Sequence, residues 1–222
     1  MPKVGAQVLP DCLPQTADQG QVPDHLEVQA LRDLFLATNG RSWLTKTGWL
    51  EGCKAKEFRE WFGVEVRDAD VVGIRLSHNQ LTGELPASLR NLQALEVLHL
   101  PHNALTGAPP ATLSQLPALR ELNLSHNQLR GTLPRFHPGA PLSYVLLGDN
   151  QFSGPLPPSL FRATLQALDV EHNRLSGPIP MALAGCQSLT MLNLSHNALT
   201  GELPEISPSD LALLEVVNVS HN

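Results

Sequence analysis

Cysteine is scarce in this chain of 222 residues, limited to Cys12, Cys53 and Cys186. Three thiols so widely spaced cannot build a disulfide framework or a metal cluster, and their scarcity points to a reducing compartment. Long apolar runs are missing as well. The stretch from Leu211 to Val219 is interrupted by Glu215 and Asn218 and is far too short to cross a bilayer. The first ten residues lack the unbroken apolar core of a secretion signal, because Gln7 and Pro10, with Asp11 after them, break it early. These absences lead to the expectation of a cytoplasmic protein, with cytoskeletal or membrane-associated assemblies as further sites of action. Blocks of like charge are absent too. Lys and Arg number 15 against 21 Asp and Glu, a formal charge of −6, so nucleic acid is not an expected partner. No nucleophile elbow, phosphate-cradling glycine loop, zinc spacing or paired-carboxylate pattern occurs, so neither enzymatic activity nor a cofactor is expected.

What the chain does have is a period. Asn79, Asn103, Asn127, Asn150, Asn173, Asn197 and Asn222 follow one another at intervals of 24, 24, 23, 23, 24 and 25 residues, the mark of a repeat architecture. Each is preceded by apolar residues eight, five and three positions earlier, as Leu95, Leu98 and Leu100 precede Asn103. The spacing predicts a short strand per repeat, paired in parallel with its neighbours, with Leu98 and Leu100 pointing inward. A lone repeat could not bury that face, so the repeats must stack. The asparagine stands where the chain leaves the strand, and its amide is expected to satisfy backbone groups that the turn leaves unpaired in the core.

A second constant half follows each asparagine: an apolar residue two positions on, glycine four on and proline seven on, as in Leu81-Thr82-Gly83-Glu84-Leu85-Pro86. The glycine recurs at Gly107, Gly131, Gly154, Gly177 and Gly201. Glycine permits the backbone of a tight turn, and proline ends hydrogen-bonded pairing on that flank. Leu89, Leu113, Leu160 and Leu183 then mark a short helical turn on the convex side. This combination resembles the plant-type leucine-rich repeat over about residues 71–222. The resemblance implies an α/β solenoid: a right-handed leucine-rich-repeat superhelix with a parallel sheet on its concave side, about seven repeats long, the last incomplete.

Residues 24–70 read as a helical N-terminal cap. Asp24-x-x-Glu27 is a candidate capping box, followed by Val28, Leu31, Leu34 and Phe35 at helical spacing and a stop at Asn39-Gly40. Trp43, Trp49, Phe58 and Trp61 then supply apolar surface to cover the end of the solenoid. Trp61-Phe62-Gly63-Val64 is similar to the Trp-x-Gly-Val signature of the plant-type cap, although Arg59 and Val66 stand where the family places cysteines. The usual cap disulfide is therefore not expected, which favours the intracellular reading over a secreted receptor. Residues 1–23, with four prolines and no periodicity, are expected to be a mobile tail. Because the sequence stops at Ser220-His221-Asn222 in mid-repeat, a fragment of a longer protein is expected.

Histidine precedes the register asparagine in six repeats, at His78, His102, His126, His172, His196 and His221, with Asp149 interrupting the series. Stacked strands place them in a column at about 4.8 Å intervals. A straight column does not surround a metal ion. It reads either as repeat consensus copied many times or as a pH sensor whose protonated rings repel, with Asp149 favouring protonation of its neighbours. The Asn-x-Ser sequons at Asn123, Asn193 and Asn218 are by-products of the consensus that matter only outside the cell. Cys186 falls where other repeats carry Leu92 or Leu116 and is expected to pack as a small hydrophobe.

Function in such an array is expected on the concave strand surface. Tyr144 and Leu146 bring bulky apolar side chains to outward positions of one strand. With Val97 and His99 on one side, Asp169 and Met191 on the other, and Glu121 and Asp169 at the rim, they form a candidate patch for a protein partner. The leading expectation is a non-catalytic protein-interaction module. The family resemblance implies the alternatives of a receptor-like kinase ectodomain or a polygalacturonase-inhibitor-like wall protein, at the cell surface or outside the cell. A metal-dependent enzyme using the histidine column is the third class.

Overall fold

The computed structural model describes residues 25–49, 60–207 and 209–222. The expected tail, Asp24 of the capping box, Phe58 and Arg59 lie outside these residues. Helix α1 spans His25–Ala37 and buries the stripe Leu31, Leu34 and Phe35. It stops where Asn39 turns left-handed at φ 54°, a conformation asparagine tolerates better than most residues.

Fourteen strands follow among the described residues: β1 (Val64–Arg67), β2 (Asp70–Arg75), β3 (Thr82–Glu84), β4 (Val97–His99), β5 (Ala104–Thr106), β6 (Glu121–Asn123), β7 (Arg130–Thr132), β8 (Tyr144–Leu146), β9 (Gln151–Gly154), β10 (Ala167–Asp169), β11 (Arg174–Gly177), β12 (Met191–Asn193), β13 (Ala198–Leu199) and β14 (Val216–Asn218). The concave sheet has the order β1-β2-β4-β6-β8-β10-β12-β14. Its first pair, β1 with β2, is antiparallel; every later pairing is parallel and in register. Ile74, Leu98, Leu122, Val145, Leu168 and Leu192 form one inward row, each at most 2% exposed, whereas Val217 of β14 is 53% exposed.

The glycine-bearing half of each repeat, read above as a turn, is itself sheet. β3 pairs with β5, and β7, β9, β11 and β13 form a four-stranded parallel sheet. Pro86, Pro110, Pro157 and Pro180 then lead into 3-10 turns that bury Leu89, Leu113, Leu160 and Leu183. The glycine is required by geometry at Gly83, where φ is +87° and an added Cβ would lie 2.3 Å from the Ala37 carbonyl oxygen. The end of α1 docks directly there, Thr82 N donating to Thr38 O at 3.2 Å.

The asparagine ladder stitches the layers together. Asn127 Oδ1 accepts from Leu105 N at 3.0 Å, while its Nδ2 donates to Leu100 O and Leu124 O at 3.0 Å and to Ser125 O at 3.1 Å. Asn150, Asn173 and Asn197 repeat the pattern. Asn79, the first rung, pairs instead with the cap: it accepts from Thr45 N at 2.6 Å and donates to Thr45 O at 2.8 Å.

The cap closes by aromatic packing. Trp43 meets Phe35 and Trp49 edge-on at 5.1 and 4.8 Å, and Trp49 meets Trp61 at 5.0 Å. Each buried indole N–H finds a carbonyl, Trp43 at Thr38 O and Trp49 at Phe62 O, both at 2.9 Å. Glu27, 4% exposed, adds a polar tie, accepting from Val71 N at 3.2 Å and so holding α1 against β2.

Candidate functional site

The seven residues proposed from the sequence sit on consecutive concave strands, but with different amounts of surface. Val97 occupies an outward register position yet is only 8% exposed. Tyr144 is 40% exposed and its hydroxyl donates to Gln166 Oε1 at 2.6 Å. Leu146 and Met191 are half-buried and present apolar edges beside it. The patch therefore centres on β8 and β12, with Ala167 of β10 packed low between them, 7% exposed.

On one flank lies a chain of polar contacts that the sequence did not reveal. Arg75 Nε donates to Glu65 Oε1 at 2.7 Å, and Arg75 Nη1 lies 2.8 Å from His99 Nδ1. A guanidinium has only donors, so His99 Nδ1 accepts and the ring proton sits on Nε2. That nitrogen faces Glu121 Oε2 at 3.1 Å. The contacts run Glu65, Arg75, His99, Glu121 across β1, β2, β4 and β6. Partial burial, followed by the Arg75 charge, holds the His99 imidazole below histidine's ordinary 6.5.

On the other flank Asp169 Oδ1 accepts from Glu171 N at 3.0 Å, and Asn193 Nδ2 donates to Glu171 Oε2 at 2.7 Å. Burial raises the Asp169 carboxyl above its ordinary value. The sequon asparagines fold back on themselves, Asn123 and Asn193 each accepting at 2.8 Å from the hydroxyl two residues on, Ser125 and Ser195. Cys186 is buried as expected, and burial pushes its thiol up to about 11. Among the described residues no group of three or more His, Cys, Asp or Glu is arranged to hold a metal ion.

The histidine column lies at the corner where the chain leaves the concave strand. Its seven positions, His78, His102, His126, Asp149, His172, His196 and His221, all have left-handed backbone, φ 48–56°. Histidine, asparagine and aspartate are the non-glycine residues enriched there, which explains the consensus at this position. Around Asp149 the column divides into two stacks. His78, His102 and His126 stack at 4.1 and 4.0 Å, and His172, His196 and His221 at 4.1 and 4.3 Å. Asp149 Oδ2 lies 3.1 Å from His126 Nδ1.

The middle ring of each stack, His102 and His196, is held below 6.5, first by desolvation between its neighbours and then by their charge. A depressed folded value means that the folded chain binds fewer protons than the unfolded one as pH falls below 6.5. The stability these rings contribute is therefore present above that value and lost as pH drops through their own lower range. Asp169 has the opposite sign, but it titrates in the carboxylate range and so in a separate, more acidic window. We expect the thermal midpoint to fall between about pH 7.5 and about pH 5.5, and the fall to shrink in a His102→Asn, His196→Asn double variant followed by circular dichroism. A midpoint flat across that interval would sink the expectation.

Residues 72–129, 141–199 and 163–222 match the family model described as "Leucine rich repeat". No curated protein matches the chain. Among solved structures, PEPR1-AtPEP1 is similar over 87% of this chain and 27% of its own, at 26% identity and TM-score 0.73. The ectodomain of the Arabidopsis thaliana membrane receptor kinase GASSHO1/SCHENGEN3, in complex with Casparian strip integrity factor 2, is similar over 88% of this chain and 23% of its own, at 27% identity and TM-score 0.71. The BIR3–SERK2 complex from Arabidopsis thaliana is similar over 81% of this chain and 98% of the matched chain, at 30% identity and TM-score 0.63. The chain thus spans about a quarter of the first two.

These neighbours overturn the cytoplasmic assignment made from the sequence, because they include receptor-kinase ectodomains and point to the cell surface or the extracellular space. The assignment rested partly on the missing cap cysteines. The cap closes through indole packing and the Glu27 tie, so a missing disulfide there carries no information about redox compartment. The described residues also contain no helix long and apolar enough to cross a membrane.

Proposed function

The chain belongs to the leucine-rich repeat family, and on that premise we propose that it is a non-catalytic binding array of the receptor-ectodomain kind, which engages a protein or peptide ligand on its concave face. In this reading residues 24–70 cap the array and residues 71–222 form it. The observation that carries the proposal is Tyr144. It is a large aromatic ring, 40% exposed, standing at an outward position in the middle of a rigid sheet with Leu146 beside it. Buried aromatic anchors surrounded by polar rims dominate interface energies, and a rigid array loses little conformational freedom on binding. Met191 extends the apolar centre, and His99 with Glu121 on one side and Asp169 on the other supply that rim.

The test compares the secreted, tagged chain with its Tyr144→Ala, Leu146→Ala double variant by proximity labelling at the surface of intact cells. Labelled partners are expected to fall by roughly thirtyfold or more, since truncating a hot-spot anchor costs about 2 kcal/mol. Identical labelling by wild type and a folded double variant would remove the patch from the binding face.

A further inference from the structure

The concave patch leaves the two histidine stacks unused. All six rings are exposed at one rim of the sheet. Among the described residues, His126 lies within ion-pair distance of Asp149, 3.1 Å, and the other five rings make stacking contacts with one another. Alongside the first stack runs a shallow open depression lined by Ser42, His78, Gln80, Thr82, His102, Asn103 and Ala104, a largely apolar surface with no carboxylate in it. The carboxylates that face the column are Asp149 at its break and Glu171 near His196.

We propose that this rim is a second, proton-gated binding site, which takes an extended acidic polypeptide segment when the histidines are protonated. At neutral pH the middle rings His102 and His196, held below histidine's ordinary value between their stacked neighbours, are uncharged, and a chain of net charge −6 repels an acidic partner. On acidification through their range His102 and His196 charge, stacking on them becomes repulsive, and their outward N–H groups gain strength as donors to carboxylate. A bound carboxylate relieves the repulsion, so binding and proton uptake reinforce each other. The middle rings His102 and His196, each sandwiched between two stacked neighbours that oppose its charge, form the gate.

The division of the column sets the pattern of the ligand. Stacking steps of 4.1 and 4.0 Å make the first triad about 8 Å long, a length that an extended chain rising about 3.3 Å per residue covers in two to three residues. The break at Asp149, two strand spacings or about 10 Å wide, repels a carboxylate and calls for about two neutral residues. The preferred segment is therefore acidic, then neutral, then acidic.

The probe is the fluorescent peptide Glu-Glu-Glu-Gly-Ser-Glu-Glu-Glu, titrated against the full chain by anisotropy at about pH 7.5 and about pH 5.5. At constant ionic strength, binding is expected to tighten at least about tenfold on acidification, the change that one coupled proton gives per pH unit. The His102→Asn, His196→Asn variant, in which asparagine keeps the left-handed backbone, is expected to lose that gain, while Met181→Ala, at an exposed 3-10 turn, leaves it unchanged. If the double variant fails to fold, Asp149→Asn decides: it removes the opposing charge and should favour a probe with glutamate at all eight positions. An acid gain equal in wild type and double variant, no gain at all, or equal competition by free glutamate would overturn the proposal. Because the probe contacts the rim and not β8, failure here leaves the concave patch standing, and failure of the patch leaves the rim standing.

Discussion

Replacing Asn127 by Ala is expected to destabilise the solenoid by about 3–5 kcal/mol, close to the whole margin of many domains. The residue stands near the middle of the array, 9% exposed, and makes four hydrogen bonds to backbone of its own and the preceding repeat. The losses are unequal. Leu100 O keeps Asn103 as donor, Leu124 O keeps Asn150, and Ser125 O keeps the His102 amide. Leu105 N keeps nothing and lies in the buried interior between the two sheets. An orphaned buried donor costs about 1–3 kcal/mol and each forfeited neutral bond about 0.5–1.5. The same substitution at Asn222 also orphans a buried donor, Leu199 N, but its bonds to Val219 O and Ser220 O are exposed and water replaces them, so it is expected to cost less, about 1–3 kcal/mol. Urea unfolding of the two variants checks both numbers. Equal effects at the two positions would refute the idea that burial, rather than the bonds themselves, sets the magnitude.

Trp43→Ala is expected to cost about 3–5 kcal/mol as well, through a different route. The indole is 1% exposed, touches Phe35 and Trp49, and gives its N–H to Thr38 O. That carbonyl also receives Thr82 N, so the cap and the first repeat are joined at one atom. Solenoid stability sums over neighbours, and an end layer without its cap frays first. Hydrogen exchange should therefore show protection lost in β1, β2 and β3 while β8 and β10 keep theirs. Uniform loss along the array would mean that the chain unfolds as one unit and that the cap has no privileged role.

Much of this architecture was legible in the residues. The interval between register asparagines, and the apolar positions eight, five and three before each, specify which side chains point inward, and Leu98, Leu122 and Leu168 are buried accordingly. Other features left weaker traces. The glycine-bearing segment reads locally as a turn, and it becomes a second sheet only because adjacent repeats offer it a parallel partner. The left-handed corner could have been inferred from the alternation of His and Asp at one position, since those residues share a tolerance for that backbone. Val97 and Tyr144 occupy equivalent positions in the repeat, yet one is covered and the other stands out, a difference set by the neighbours each strand receives.

The sequence by itself determined the repeat, its register, the inward residues and the cap, because each depends on spacing along the chain and stays the same however many repeats are stacked. Only the tertiary structure decided how groups from different repeats meet. The run of contacts from Glu65 to Glu121, the division of the histidines into two stacks around Asp149 and the cap carbonyl shared by Trp43 and Thr82 each join residues of different strands or repeats, and the exposure of Tyr144 is set by the strands on either side of it. The physical reason is the reach of the forces involved. Periodic burial is a property of one strand, whereas hydrogen bonds, ring stacking and ion pairs act over a few ångströms and exist only once stacking has brought separate strands side by side.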